Sequence, residues 1–464
     1  ADLERAAHTA QRSRRRENGR LNRRERRIAN YLPRPGERGA FALRSYRELT
    51  VAAHRATSDV LAGAYPFLAE AGLGSDGILI GQDAWAGSSF CFDPWVLYRE
   101  GVLTNPNCLL AGVVGRGKSA LAKSMAVRSI AFGRRVYVPC DPKGEWSAVS
   151  RQVGGQVIRL GPGLSTRLNP LDEGPRTAGM SEDQWRGSVT ARRRELLRAM
   201  SESILARPLT PVEATALTSA LDAAVRDNGV PLLPHVVDAL IEPPVDVAGS
   251  TVSQLREDGR PLAHALNRLV RGDLGGLFDR PSTTCFDPSR PMVSLDLSSI
   301  ATSGPLVALV MTCASTWMEA ALNDPVGLPR WVIYDEAWRL LAQAPLLARM
   351  RSQWKLSRAL GIANLMIIHR LSDLDSVGDA DSESRNVALG LLADCSTKII
   401  YAQESGEATK TAAALGLSST EANELPRLAV GEGLWRVGER AFVVRHLCTP
   451  GELELFDTNA RMRG

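Results

Sequence analysis

Between Cys108 and Phe132 the chain reads Cys-Leu-Leu-Ala, then Gly112-Val113-Val114-Gly115-Arg116-Gly117-Lys118-Ser119, then a helical stretch. The segment from Gly112 to Ser119 is a complete GxxxxGK[ST] phosphate loop. No other feature constrains the fold as much. Glycines let successive backbone N–H groups converge on an anion at a helix N-terminus, and that geometry needs a strand before the loop and a helix after it. Lys118 is expected to reach the β- and γ-phosphates of a nucleotide and the Ser119 hydroxyl to ligate Mg²⁺. Gly112, Gly115, Arg116, Gly117 and Ala120 are the remaining expected nucleotide contacts.

The rest of the chain supplies the sheet that such a loop requires. Short apolar runs at Arg135–Cys140, Gln156–Leu160, Met292–Leu297, Trp331–Tyr334, Ile362–Ile368 and Thr397–Ala402 alternate with helical segments. That alternation predicts an α/β fold with a mainly parallel, doubly wound sheet. Two further strands are expected ahead of the loop, Ile78–Gly81 and Ser88–Phe92, and a hairpin after it, Leu434–Val437 with Ala441–Arg445, turning at Gly438-Glu439. Residues 180–272 carry almost no strand signal and read as an all-α insertion. Within it Thr210-Pro211-Val212-Glu213 has the pattern of a helix start, with a threonine cap, proline in the first turn and glutamate three residues after the cap. The expected units are a basic arm and linker over 1–44, the first part of the phosphate-loop domain over 45–175, a helical insertion over 176–285 and the second part over 286–464. Residues 45–72 are expected to include a helix.

Two strand ends carry further chemistry. Trp331-Val332-Ile333-Tyr334-Asp335-Glu336 is an apolar strand ending in paired carboxylates, of which Asp335 is expected to hold the Mg²⁺ shell and Glu336 to polarise an attacking water. A kinase transferring phosphate to a substrate hydroxyl has no use for such a glutamate, so hydrolysis fits better. Ile362–Ile368 ends at His369, placed where ligands of open α/β sheets bind and where a side chain can sense the γ-phosphate or its water.

Charge and cysteine usage narrow the setting. The net charge is +5. Residues 1–38 hold twelve arginines against five acids, +7, which leaves −2 for the remainder. The arm is suited to phosphates, acidic lipid headgroups or an acidic partner, whereas the body is not. The seven cysteines form no CxxC pair and no zinc-ligand spacing, and several lie in apolar runs, as expected for buried thiols in the cytosol. No apolar run is long enough to cross a membrane, and no secretory leader is readable at the start, which is Ala1.

Taken in order, further segments resemble one family. They are Asp141-Pro142-Lys143-Gly144-Glu145-Trp146, Asn169-Pro170-Leu171-Asp172, Gly272-Asp273-Leu274-Gly275-Gly276-Leu277-Phe278-Asp279, Ile333-Tyr334-Asp335-Glu336-Ala337-Trp338 and the ending Leu415-Gly416-Leu417 with Gly431-Glu432-Gly433. With the phosphate loop they resemble the VirB-type energising ATPases of conjugation and type IV secretion, within the HerA–FtsK superfamily of ring-forming motors, over roughly residues 60–460. The resemblance implies a RecA-like P-loop NTPase fold, ATP and Mg²⁺ as ligands, and assembly as a homo-oligomer, a hexamer. Implied partners are other secretion-system proteins and DNA, at the cytoplasmic face of the membrane. It also implies an arginine acting on the neighbouring subunit's nucleotide. Arg349, Arg351, Lys355 and Arg358 are in the right stretch, and Arg358, just before the Gly361 turn, is the expected finger. In two respects the sequence departs from the family. The sensor is typically glutamine there and is His369 here, and the family's large N-terminal domain, associated with docking, has no counterpart ahead of residue 40. Rival functions are a DNA translocase of the same superfamily and a nucleotide-controlled scaffold.

Overall fold

The computed structural model describes Gly19 and residues 72–456, apart from 175, 177–178, 248, 273–274, 301–309, 311–326, 342–346, 348–349, 352–353, 356 and 372–382. The basic arm and the helix expected over 45–72 lie outside the described residues, except for Gly19 and Gly72.

The strands are β1 (Ile78–Asp83), β2 (Ser89–Phe92), β3 (Cys108–Ala111), β4 (Arg135–Asp141), β5 (Gln156–Arg159), β6 (Met292–Asp296), β7 (Arg330–Tyr334), β8 (Ile362–Ile368), β9 (Thr397–Tyr401), β10 (Glu432–Val437) and β11 (Arg440–His446). They form one eleven-stranded sheet in the order β2-β1-β11-β10-β9-β3-β8-β7-β4-β6-β5. From β9 to β5 every pairing is parallel. From β9 outwards to β2 every pairing is antiparallel.

The helices among the described residues are α1 (Pro94–Arg99), α2 (Lys118–Ala131), α3 (Ser147–Gln152), α4 (Glu182–Leu205), α5 (Pro211–Asn228), α6 (Leu233–Ile241), α7 (Val252–Val270), α8 (Trp338–Leu341), α9 (Glu383–Ala393), α10 (Ser405–Leu415), α11 (Ser419–Glu424) and α12 (Pro450–Phe456). Side chains alternate between the two faces of each strand. Leu109, Ala111, Val332, Tyr334, Met366 and Ile368 share a core with Leu196, Leu221, Leu240 and Leu266 of α4–α7. Cys108, Leu110, Trp331, Ile333, Leu365 and Ile367 point the other way and pack with Leu121 and Met125 of α2. Burial on both faces explains why β3, β7 and β8 read as continuous apolar runs.

α4–α7 lie between β5 and β6 in the chain. α5 starts as its sequence predicts: the Thr210 hydroxyl accepts from the Glu213 N–H, and the Thr210 N–H donates to the Glu213 carboxylate at 2.9 Å. At the antiparallel end β1 covers β11, which would otherwise be an open edge. Trp435 of β10 packs edge-on against Phe90 and Phe92 with ring centroids 5.2 and 5.3 Å apart, so the first described strands are sealed to the last.

Candidate functional site

Because β3, β4, β7, β8 and β9 run parallel, their C-terminal ends share one edge of the sheet. The phosphate loop leaves β3 there, with Gly112, Gly115 and Gly117 at φ 147°, 81° and 104°, a region closed to most side chains. α2 starts at Lys118. The Gly112 N–H donates to the His369 carbonyl at 3.3 Å and the Val113 N–H to the Ala402 carbonyl at 3.3 Å, tying the loop to the ends of β8 and β9. Lys118 is buried within the loop, its Nζ donating to the Val113 carbonyl at 2.9 Å.

Asp335 and Glu336 follow β7, and His369 follows β8, the strand between β7 and β3. Glu336 is buried and adopts a left-handed backbone at φ 54°. Its Oε1 accepts from Lys143 Nζ and from His369 Nε2 at 2.9 Å, and its Oε2 accepts from Trp338 Nε1 at 2.7 Å. A carboxylate can only accept, so Nε2 of His369 carries the proton in this pair. Burial alone would raise the Glu336 carboxyl, but the bonds from His369, Lys143 and Trp338 hold it well below the usual range. Lys143 is correspondingly raised, the Glu336 contact outweighing its partial burial.

Asp335 accepts from Trp146 Nε1 at 3.0 Å and from the Glu336 N–H at 3.0 Å. Burial raises its carboxyl, and the charges of Glu145 and Glu336 push the same way. Behind it Asp141 is pushed up to about 7, chiefly by burial and then by Asp335 and Asp296, despite backbone bonds from Trp146 and Glu145. Lys123 of α2 is fully buried, 3.6 Å from Glu145. Burial is the largest cause of both shifts. The hard oxygens of Ser119 and Asp335 fit Mg²⁺, which is usually held by one or two protein oxygens together with substrate phosphates. Among the described residues no group of three or more His, Cys, Asp or Glu side chains forms a metal cage.

The fold thus brings Asp335, Glu336 and His369 to the edge that carries the phosphate loop. It does not bring Arg358 there. Arg358 is exposed in the turn before β8, about 20 Å along that strand from its far end. There it lines a cleft of 580 Å³ with Arg351, Lys355, Lys398 and Arg436. Arg349 lies outside the described residues. Sequence reasoning also passed over the donors that hold the acidic pair, Lys143, Trp146 and Trp338. The available signal was that Asp141–Trp146 and Asp335–Trp338 follow strands that turn out to be neighbours, and each ends in tryptophan.

Comparison with solved structures relates this arrangement to known proteins. VirB4 of Thermoanaerobacter pseudethanolicus superposes with a TM-score of 0.68 at 21% identity, covering 83% of this chain and 100% of that one. The plasmid coupling protein TrwB in complex with an ATP analogue superposes with a TM-score of 0.52 at 13% identity, covering 81% and 90%. TrwB with ADP and Mg²⁺ gives 0.51 at 14% identity, covering 74% and 86%. The chain has their fold. It is the RecA-like P-loop architecture, here with the α4–α7 helices between β5 and β6. No protein-family profile and no curated protein matches the sequence.

Proposed function

We propose that this chain is a Mg²⁺-dependent ATPase, converting ATP and water to ADP and phosphate, and that it works as a ring-shaped homo-oligomer, a hexamer, powering a conjugation-like type IV secretion system at the cytoplasmic face of the membrane. The observation that carries the reading is the placement of Glu336, buried, hydrogen-bonded to His369 and next to Asp335, on the sheet edge that carries the phosphate loop. The match in fold to VirB4 and TrwB supports the choice of system.

In this reading the loop N–H groups and Lys118 bind the β- and γ-phosphates. Ser119 and Asp335 hold Mg²⁺, which supplies charge neutralisation on the phosphates. Glu336 orients the attacking water and accepts its proton, and His369 fixes the carboxylate through Nε2. Lys143 is the donor to Glu336 that can leave most readily, being half-exposed on a turn with Gly144 at φ 70°. Arg358, remote from its own subunit's site, serves the neighbour's nucleotide as the finger, and partner secretion proteins and DNA are the expected cargo or contacts. The described residues include no helix long and apolar enough to cross a membrane.

The test is complementation. An arginine finger contributes ~10³–10⁵ in turnover, so Arg358→Ala should bind ATP and lose hydrolysis, as should Glu336→Gln. Once subunit exchange is shown by labelling, mixing the two should restore activity at interfaces that pair an intact carboxylate with an intact arginine. No recovery at any ratio removes Arg358 from the role. Strong stimulation of phosphate release by duplex DNA would instead favour a DNA translocase.

A further inference from the structure

The segment Gly431-Glu432-Gly433 takes no part in the chemistry above, yet it is clamped against the phosphate loop. The Gly431 N–H donates to the Arg116 carbonyl at 3.0 Å, and the Gly431 carbonyl accepts from the His446 N–H at 2.8 Å. The preceding turn is closed on itself. The Ala429 N–H donates to Glu432 Oε2 at 3.2 Å, the Glu432 N–H donates to the Ala429 carbonyl at 3.1 Å, and Arg445 holds Glu432 Oε1 at 2.8 Å. Gly431 supplies the positive φ, 83°, that lets the turn close. On this rigid turn Val430 is 67% exposed, directly beside the phosphate loop. Arg116, whose carbonyl takes the Gly431 bond, is half-buried and makes no side-chain hydrogen bond or ion pair among the described residues.

Sheet order gives the direction in which a bound nucleotide must lie. The γ-phosphate end belongs with Asp335, Glu336 and His369, which follow β7 and β8 on one side of β3. A triphosphate seated in the loop therefore sends its sugar and base the other way, over β9 and β10. Because β10 is antiparallel to β9, the start of β10 lies at the same edge as the end of β9, and the turn carrying Val430 stands there.

We infer that the turn Ala429–Gly431 is the resting surface of the nucleobase, with Val430 against one face and the Arg116 guanidinium over the other. A flat, apolar-faced aromatic ring suits both, since guanidinium groups stack on π faces and valine offers only dispersion and apolar burial. The inference rests on the reading that this loop binds a nucleoside triphosphate.

The test compares two probes that differ only in having a nucleoside. Binding of Mg-ATP and of inorganic tripolyphosphate is measured by calorimetry for the full chain and for Val430→Asp and Val430→Ala. Burial of a valine side chain corresponds to about tenfold in affinity. Val430→Asp should therefore weaken ATP about tenfold or more and Val430→Ala several-fold, while both hold tripolyphosphate within about twofold of the unsubstituted chain. Unchanged ATP affinity in both variants overturns the inference and leaves the ATPase reading intact. A parallel loss of tripolyphosphate also overturns it, because the turn would then only brace the phosphate loop. Failure of the unsubstituted chain to bind either probe removes the ATPase reading, and the base site with it.

Discussion

Glu336→Gln replaces one oxygen with an NH₂ group, but the surroundings of that side chain make the change costly. The carboxylate accepts from Lys143 and His369 on one oxygen and from Trp338 on the other. An amide has one accepting oxygen and one donating nitrogen. Whichever way it turns, its NH₂ meets a donor. The less costly orientation keeps the oxygen towards Lys143 and His369 and turns the NH₂ towards the Trp338 indole N–H, which loses Glu336 as its acceptor. Setting one buried donor against another in place of a hydrogen bond costs ~1–3 kcal/mol, and losing the full charge weakens the Lys143 bond, of a type contributing ~1.5–3 kcal/mol. Lys143 is 48% exposed and Trp338 is only half-buried, so water recovers part of both terms. The sum comes to about 2 kcal/mol. Turnover should fall ~10²–10⁴-fold as the water loses its acceptor, with ATP still bound. Chemical denaturation measures the first effect and phosphate release the second. Adding Trp338→Phe removes the N–H that faces the new amide, so the two substitutions should be non-additive by about 1 kcal/mol. Equal stability of Glu336→Gln and the unsubstituted chain would refute the three-donor arrangement. Normal turnover would move the base elsewhere, to Glu145 as the nearest alternative.

A β-carbon added at Gly112 would lie 2.6 Å from Tyr401 Cβ, at a φ of 147°, so Gly112→Ala should cost about 3 kcal/mol and abolish ATP binding. Gly115→Ala meets nothing within 4 Å and should cost only about 1–2 kcal/mol of backbone strain; thermal unfolding and nucleotide titration rank the pair, and a reversed order would contradict the packing of Tyr401 beneath the loop. Bonds from Arg207 first, and then from Thr210, hold Glu213 at about 2 against an ordinary 4.5. A depressed carboxyl stabilises the fold above 4.5 and loses that contribution as pH falls through 2, so Glu213→Gln should flatten stability against pH in that window, and parallel curves for the two proteins would refute it.

Most of the parallel part of the sheet was legible because its strands are buried on both faces and therefore spell out uninterrupted apolar runs. Cys108–Ala111 and Ile362–Ile368 have the bounds their sequences suggest, and the other parallel strands differ by one residue. The α5 start was legible because a capping box is local chemistry, written within Thr210–Glu213. The phosphate loop and the Asp335–Glu336 pair were legible for the same reason, since each is a short run whose residue types have few other uses together.

What depends on strand order was not legible. The sequence places Lys143 and Glu336 far apart, and only the pairing of β4 beside β7 brings them into contact. Likewise the pairing of β1 with β11, and the docking of Gly431 on Arg116, join segments hundreds of residues apart through backbone groups that every residue possesses. Residue identity carries local preference and burial, so it determines which segments become strands, turns and helix starts. Which strands become neighbours is decided by the shared core and by the hydrogen bonds that close the sheet. That choice turned a carboxylate at a strand end into one held by Lys143, His369 and Trp338, and left Arg358 at the opposite edge of the sheet.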